Sequence, residues 1–133
     1  MIIDYQPEFA STEFKHPDLV NQIAYDLLVD IRRQFGKPLI ITDDARLPLE
    51  MPTGAAATSL HFKGQAFDLH IKDFTSRELY QLSNSVQNVA NMVCRGVKSG
   101  VEVEWVYSST DKHLHIGFFL GARSFNTFEV RAE

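Results

Sequence analysis

Cysteine is nearly absent: Cys94 stands alone among 133 residues, which excludes an internal disulfide framework. It lies in an apolar helical stretch, where a thiol is expected to be a buried, inert small hydrophobe. No cluster of Lys and Arg occurs anywhere, and the formal net charge is -4. Nothing in the chain offers a phosphate backbone a positive surface, so no nucleic-acid partner is expected. No stretch approaches the roughly 20 apolar residues of a transmembrane helix, and no membrane insertion is expected. The opening residues Met1-Ile2-Ile3-Asp4-Tyr5-Gln6 lack the basic segment and apolar run of a secretory signal. Internal repeats, low-complexity tracts and linkers are missing as well. What remains is ordinary for a soluble globular protein, with 44% hydrophobic and 23% charged residues. The length suits one domain spanning residues 1–133, with enough chain to bury a core.

Hydrophobic spacing predicts two helices and several short strands. Leu19, Ile23, Leu27, Ile31 and Phe35 recur at helical spacing, with Val20, Ala24 and Leu28 widening the stripe, so residues 18–35 read as a helix. Pro17 suits its first turn, and Gly36 with Pro38 stops it. Leu39-Ile40-Ile41-Thr42 reads as a strand. Residues 43–60 form a loop long enough to be functional. Gln65 to Ile71 reads as a second strand, with Ala66, Asp68 and His70 on one face and Phe67, Leu69 and Ile71 on the other. Thr75-Ser76-Arg77-Glu78 is a capping box, opening a helix that turns Leu79, Leu82, Val86, Val89 and Val93 inward and ends near Gly96. Val101 to Tyr107 and Lys112 to Phe119 alternate as strands around a hairpin-sized connection at Ser108 to Asp111. Ser124 to Val130 adds an edge strand. The expected architecture is α+β, a small, mainly antiparallel sheet with two helices on one face.

Of five histidines, three fall into a spaced pattern with one aspartate. The segment Ser59-Leu60-His61-Phe62-Lys63-Gly64-Gln65-Ala66-Phe67-Asp68 is followed far downstream by His113-Leu114-His115. Two imidazoles and a carboxylate form a ligand set for catalytic zinc, whose fourth position takes water. Strand alternation puts Asp111, His113 and His115 on one face and Lys112, Leu114, Ile116 and Phe118 on the other. Asp68 points away from Phe67 and Leu69, and Gly64 fits a sharp turn between His61 and the Asp68 strand. Each piece alone has a plainer explanation: single histidines are mostly surface or hydrogen-bonded residues, and one exposed face could carry both His113 and His115. His70 reads as an exposed residue, a surplus ligand or a partner of a ligand. Ligand type alone leaves nickel, copper and manganese open beside zinc.

The pattern Ser59-x-His61-x-x-Gly64-x-Ala66-x-Asp68 with His113-x-His115 resembles the signature of the zinc D-alanyl-D-alanine carboxypeptidase family, which includes peptidoglycan endopeptidases. The amino-terminal signalling domain of Hedgehog proteins shares that fold. The run Glu104-Trp105-Val106-Tyr107, leading to Lys112-His113-Leu114-His115-Ile116, is similar to the corresponding Hedgehog stretch. The resemblance covers roughly residues 38 to 119. It implies a Hedgehog/DD-peptidase-like fold, a Zn2+ cofactor, and His61, Asp68 and His115 as ligands. It also implies that His113 stabilises the tetrahedral intermediate and that Arg46 binds a substrate carboxylate through its guanidinium fork; a solvated loop arginine is the alternative.

The chain departs from the family at the general base. The bacterial enzymes keep a carboxylate three residues before the last ligand, and the Hedgehog pattern keeps one six before; those positions are Lys112 and Ser109 here. Neither takes a proton from metal-bound water as a carboxylate does. Asp111 is the nearest replacement, Glu104 the second, with Asp43 and Asp44 more remote. The resemblance implies a zinc metallopeptidase acting on D-amino-acid peptides of bacterial peptidoglycan. Without a secretory signal, the expected setting is cytoplasmic, or that of a phage endolysin released on lysis or a virion-associated enzyme. The rival expectation is a zinc-holding binding or structural module without catalysis.

Overall fold

The computed structural model describes residues 9–12, 16, 18–45, 60–61, 63–93, 99–107, 112–120 and 127–132. The elements run β1 (Phe9–Thr12), α1 (Gln22–Phe35), β2 (Leu39–Asp43), β3 (Ala66–His70), α2 (Ser76–Val93), β4 (Ser99–Val106), β5 (His113–Leu120) and β6 (Thr127–Ala132). They form one six-stranded sheet in the order β1-β2-β3-β5-β4-β6. The inner pairings β2–β3, β3–β5 and β5–β4 are antiparallel, while both edges, β1 on β2 and β6 on β4, are parallel. The expected α+β architecture is therefore present, with two parallel edge pairings that alternation alone does not reveal. No helix among the described residues is long and apolar enough to cross a membrane.

Alternation divides the sheet into two unlike faces. Phe67 and Leu69 of β3, Leu114, Ile116 and Phe118 of β5, and Val101, Val103 and Trp105 of β4 join α1 and α2 in the main core. The five from β3 and β5 are fully buried, each worth roughly 1.5–3 kcal/mol relative to exposure. Slipping β5 by one residue against β3 would expose its apolar set and drive His113 and His115 into that core. The register is thereby held, and the polar residues stay on the other face. There Leu60, Ala66 and Phe119 make a smaller buried cluster.

Helix α1 begins four residues later than its apolar spacing predicts. Asn21 is the cap, its side chain accepting the N–H groups of Ile23 and Ala24 at 2.9 and 3.1 Å. Leu19 and Ile23 are exposed; the buried face runs through Ala24, Leu28, Ile31 and Phe35. The helix closes on Gly36 in the left-handed conformation, with its N–H on the Arg32 carbonyl, as the Gly36 stop signal requires. Helix α2 opens with the reciprocal capping box: Glu78 accepts from the Thr75 N–H and Thr75 Oγ1 from the Glu78 N–H, both at 3.1 Å. β1 carries no clear sequence signal, because its four residues pair in parallel with a distant strand. The connection from Ser108 to Asp111 and the thiol of Cys94 lie outside the described residues.

The turn bearing His61 is tied to the start of α1. The N–H groups of Lys63 and Gln65 bond the Leu60 carbonyl at 3.1 and 3.0 Å, and Gly64 N–H bonds the His61 carbonyl at 3.2 Å. The Gly64 carbonyl accepts the N–H of Asn21 at 2.8 Å. Gly64 has φ +67°, and a Cβ there would collide with the Leu19 carbonyl. Gly64→Ala should therefore combine left-handed strain with a backbone clash and lower stability by at least about 2 kcal/mol. Urea unfolding of the two proteins measures this; a loss below about 0.5 kcal/mol would show that the turn does not bear on the helix in this way.

Candidate metal centre

β3 and β5 meet in a register that places Asp68 directly opposite His115 and His70 opposite His113. β4 then sets Glu104 opposite His115 and Glu102 opposite Gly117. Because each of these strands spends its alternate positions on the core, the acids and imidazoles are confined to one face. His61 arrives from the turn before β3. His115 Nδ1 lies 2.9 Å from Asp68 Oδ1, and His61 Nε2 lies 3.3 Å from the same oxygen. The two imidazole rings are 5.0 Å apart and tilted by 57°.

Donor atoms of His61, Asp68 and His115 all fall within 4.8 Å of one another. Ligands about 2.0–2.1 Å from a tetrahedral zinc ion stand roughly 3.3 Å apart, so this spacing needs only a small adjustment to hold one. The second nitrogen of each ring is also engaged. His61 Nδ1 bonds the Asp44 main-chain carbonyl at 2.5 Å, and His115 Nε2 lies 2.8 Å from Glu102 Oε1. Nε2 of His61 and Nδ1 of His115 are left turned toward Asp68, which is how metal-ligating imidazoles are normally oriented. The three residues fit a metal. They are also well enclosed, His61 and Asp68 being buried and His115 half-buried.

The electrostatics of these residues follow from the same contacts. Burial alone would raise the Asp68 carboxyl, but hydrogen bonds from His115 and His61, with their charge, outweigh it and hold Asp68 well below the usual carboxylate range. Burial alone would likewise lower His115, yet its bonds to Asp68 and Glu102 raise it from 6.5 to about 9. Protonated, His115 bridges two carboxylates.

The remaining sequence-predicted residues are placed differently. His113 shares the face, half-buried, with Nε2 4.0 Å from Asp68 Oδ2. His70 turns away to Asp73, 3.2 Å from Oδ2, so it is not part of the ligand cluster. Asp44, a remote candidate for the base by sequence, is fully buried and otherwise occupied. Its carbonyl takes His61, and its carboxylate takes the His16 N–H at 2.9 Å. Asp43 is buried opposite Asp68 in the β2–β3 register. Arg46, Ser109 and Asp111 lie outside the described residues. Glu102 is a residue that sequence reasoning missed. Alternation of Val101, Val103 and Trp105 into the core assigns Glu102 and Glu104 to the opposite face, but not which of them reaches His115.

Among families of known proteins, a family model described as Peptidase M15 matches residues 5–116. The matched span includes His61, Asp68 and His115. No curated protein and no solved structure matches the chain.

The pH dependence has a definite sign. His115, raised, adds stability to the metal-free fold that is complete below 6.5 and is lost as pH rises through about 9. Asp68, lowered, adds stability that is complete above 3.8 and is lost as pH falls. A bound metal must displace the His115 proton, so affinity should climb about tenfold per pH unit up to the raised pKa. Chelator competition with zinc on the full chain at about pH 6, 7 and 8 measures the slope. A pH-independent affinity across that span would contradict the proton bridge.

Proposed function

The chain belongs to the peptidase M15 family, the zinc D-Ala-D-Ala peptidases, and on that premise we propose that it hydrolyses peptide bonds next to D-amino acids in bacterial peptidoglycan. The observation that carries this reading is the convergence of His61 Nε2, Asp68 Oδ1 and His115 Nδ1 on one point of the sheet face away from the helices. When bound there, zinc supplies a water acidic enough to deprotonate near neutrality and a Lewis acid for the scissile carbonyl. His61, Asp68 and His115 would hold it.

The chain's own residues divide the rest of the work. Asp111 takes the proton of the attacking water and delivers it to the leaving amine, which needs a carboxylate within reach of the cleaved bond. In sequence it stands two residues before His113, the first residue of β5. His113 offsets negative charge on the carbonyl oxygen as the tetrahedral intermediate forms; its place beside Asp68 supports that role. Arg46 orients the substrate through a terminal or side-chain carboxylate, which a planar fork of donors matches. The setting we propose is a phage endolysin or a virion-associated wall hydrolase, tested by lysis of bacteria from outside.

A second reading, a zinc-holding module without catalysis, is favoured by one feature. Lys112, exposed on the chain, stands three residues before His115, where the bacterial enzymes keep their carboxylate. The two readings separate cleanly. Zinc-loaded protein incubated with peptidoglycan should release new amino groups or D-alanine. Asp111→Ala should then lower turnover at least about a hundredfold while zinc content stays at one per chain. Full zinc content with no product from the unaltered protein would leave only the second reading. Product with undiminished turnover in Asp111→Ala would move proton transfer to another residue.

A further inference from the structure

Glu102 does not sit opposite His115. Its partner in the β4–β5 register is Gly117, two residues farther along β5, and Glu104 holds the place across from His115. Glu102 nevertheless reaches His115 Nε2 at 2.8 Å, a diagonal contact across the face of the sheet. Such a contact needs the space above the intervening position, and Gly117 leaves it open. A Cβ on Gly117 would stand 2.7 Å from Glu102 Oε1, 2.9 Å from Glu102 Cγ and 2.6 Å from Leu60 Cδ1. Atoms that close cannot coexist, so a side chain at 117 would force both Glu102 and Leu60 to shift.

We infer that Glu102 is a positioning residue for the metal centre, and that Gly117 is the notch through which it reaches His115. Resting on the metal-site reading above, the inference concerns how His115 is presented. A carboxylate accepting the Nε2–H fixes the ring's rotation and its tautomer, leaving the Nδ1 lone pair for the metal. The Asp44 carbonyl does the same for His61 through the opposite nitrogen. With a metal on the nitrogens facing Asp68, the two rings would be complementary tautomers, one held by main chain and one by an anionic side chain. The carboxylate also increases the electron donation of His115.

The same geometry removes Glu102 from among the possible general bases. It engages the ring nitrogen opposite the one facing Asp68, on the far side of the imidazole from the point where the three donors meet. Its carboxylate acts on the metal only through His115.

The test is zinc affinity of the full chain by chelator competition, with the d–d spectrum of the cobalt-substituted protein as a second readout. Glu102→Ala should weaken zinc binding by about tenfold to a hundredfold and shift the cobalt spectrum. Glu102→Gln, which keeps an acceptor oxygen, should recover much of that loss. Gly117→Ala should weaken binding with Glu102 still present, and its further effect on Glu102→Ala should be smaller than its effect alone, because the Glu102 contact is shared while the Leu60 contact is not. Thermal unfolding of each variant shows whether it is folded; if Glu102→Ala is not, Glu102→Leu, which also removes the acceptor, takes its place. Affinity and cobalt spectrum unchanged in a folded Glu102→Ala would overturn the inference, as would full additivity of the two substitutions. Unaltered protein that takes up no zinc overturns the metal reading and this inference together. Zinc uptake without peptidoglycan hydrolysis removes the proposed activity and leaves the role of Glu102 standing.

Discussion

The antiparallel pairing of β3 with β5 places Asp68 across from His115, and the rest of the site is arranged around that contact. What holds the pairing is the opposite face. Phe67, Leu69, Leu114, Ile116 and Phe118 are all fully buried beneath the helices, and a strand whose side chains alternate cannot change register without exposing them. The polar cluster is therefore kept together by apolar burial rather than by its own attractions. Two imidazoles around a buried carboxylate are well paired, but where they meet is set by the strand register. Their arrangement is imposed on them.

Around this pair, precision comes from contacts one step removed. The His61 turn is closed by its own backbone bonds and clamped to the α1 cap through Gly64. The Leu60 side chain packs with Ala66 and Phe119 beneath it. Asp44 orients the His61 ring, and Glu102 orients the His115 ring. Thr42 Oγ1 adds a bond to the Asp68 carbonyl at 3.3 Å, tying β2 to β3. Each of the two histidines thus has a backbone held by the sheet or turn and a ring held by an oxygen acceptor. A chemical site needs its donors placed to a fraction of an ångström, and rigid strands with such supports can do that where a mobile loop could not.

Much of this is legible in the chain, for identifiable reasons. The inward faces of α2, β3 and β5 follow from periodicity, because each element has one apolar side and one alternative. The Thr75–Glu78 capping box is local, and it forms as its spacing requires. The start of α1 is not legible in the same way, since Leu19 and Ile23 continue the helical spacing while the Asn21 cap and the Gly64 contact end it earlier. β1 and the parallel pairing of β6 escape because a parallel edge is defined by its distant partner. Asp44 reads in sequence as a remote carboxylate, whereas its contribution to the site comes through its main-chain carbonyl, which no side-chain pattern announces.

By itself, the sequence determined the residue types of the candidate site, the faces on which they lie and the family signature they belong to, since these depend on residue identity and a strand period of two. Only the tertiary structure decided which acid reaches which nitrogen. Glu104 is the direct neighbour of His115, yet Glu102 makes the bond, because a glycine two residues farther along β5 leaves the diagonal open. That outcome rests on the relative stagger of two strands and on the volume above one backbone position. Neither is a property of any single segment, so neither can be read until the strands are side by side.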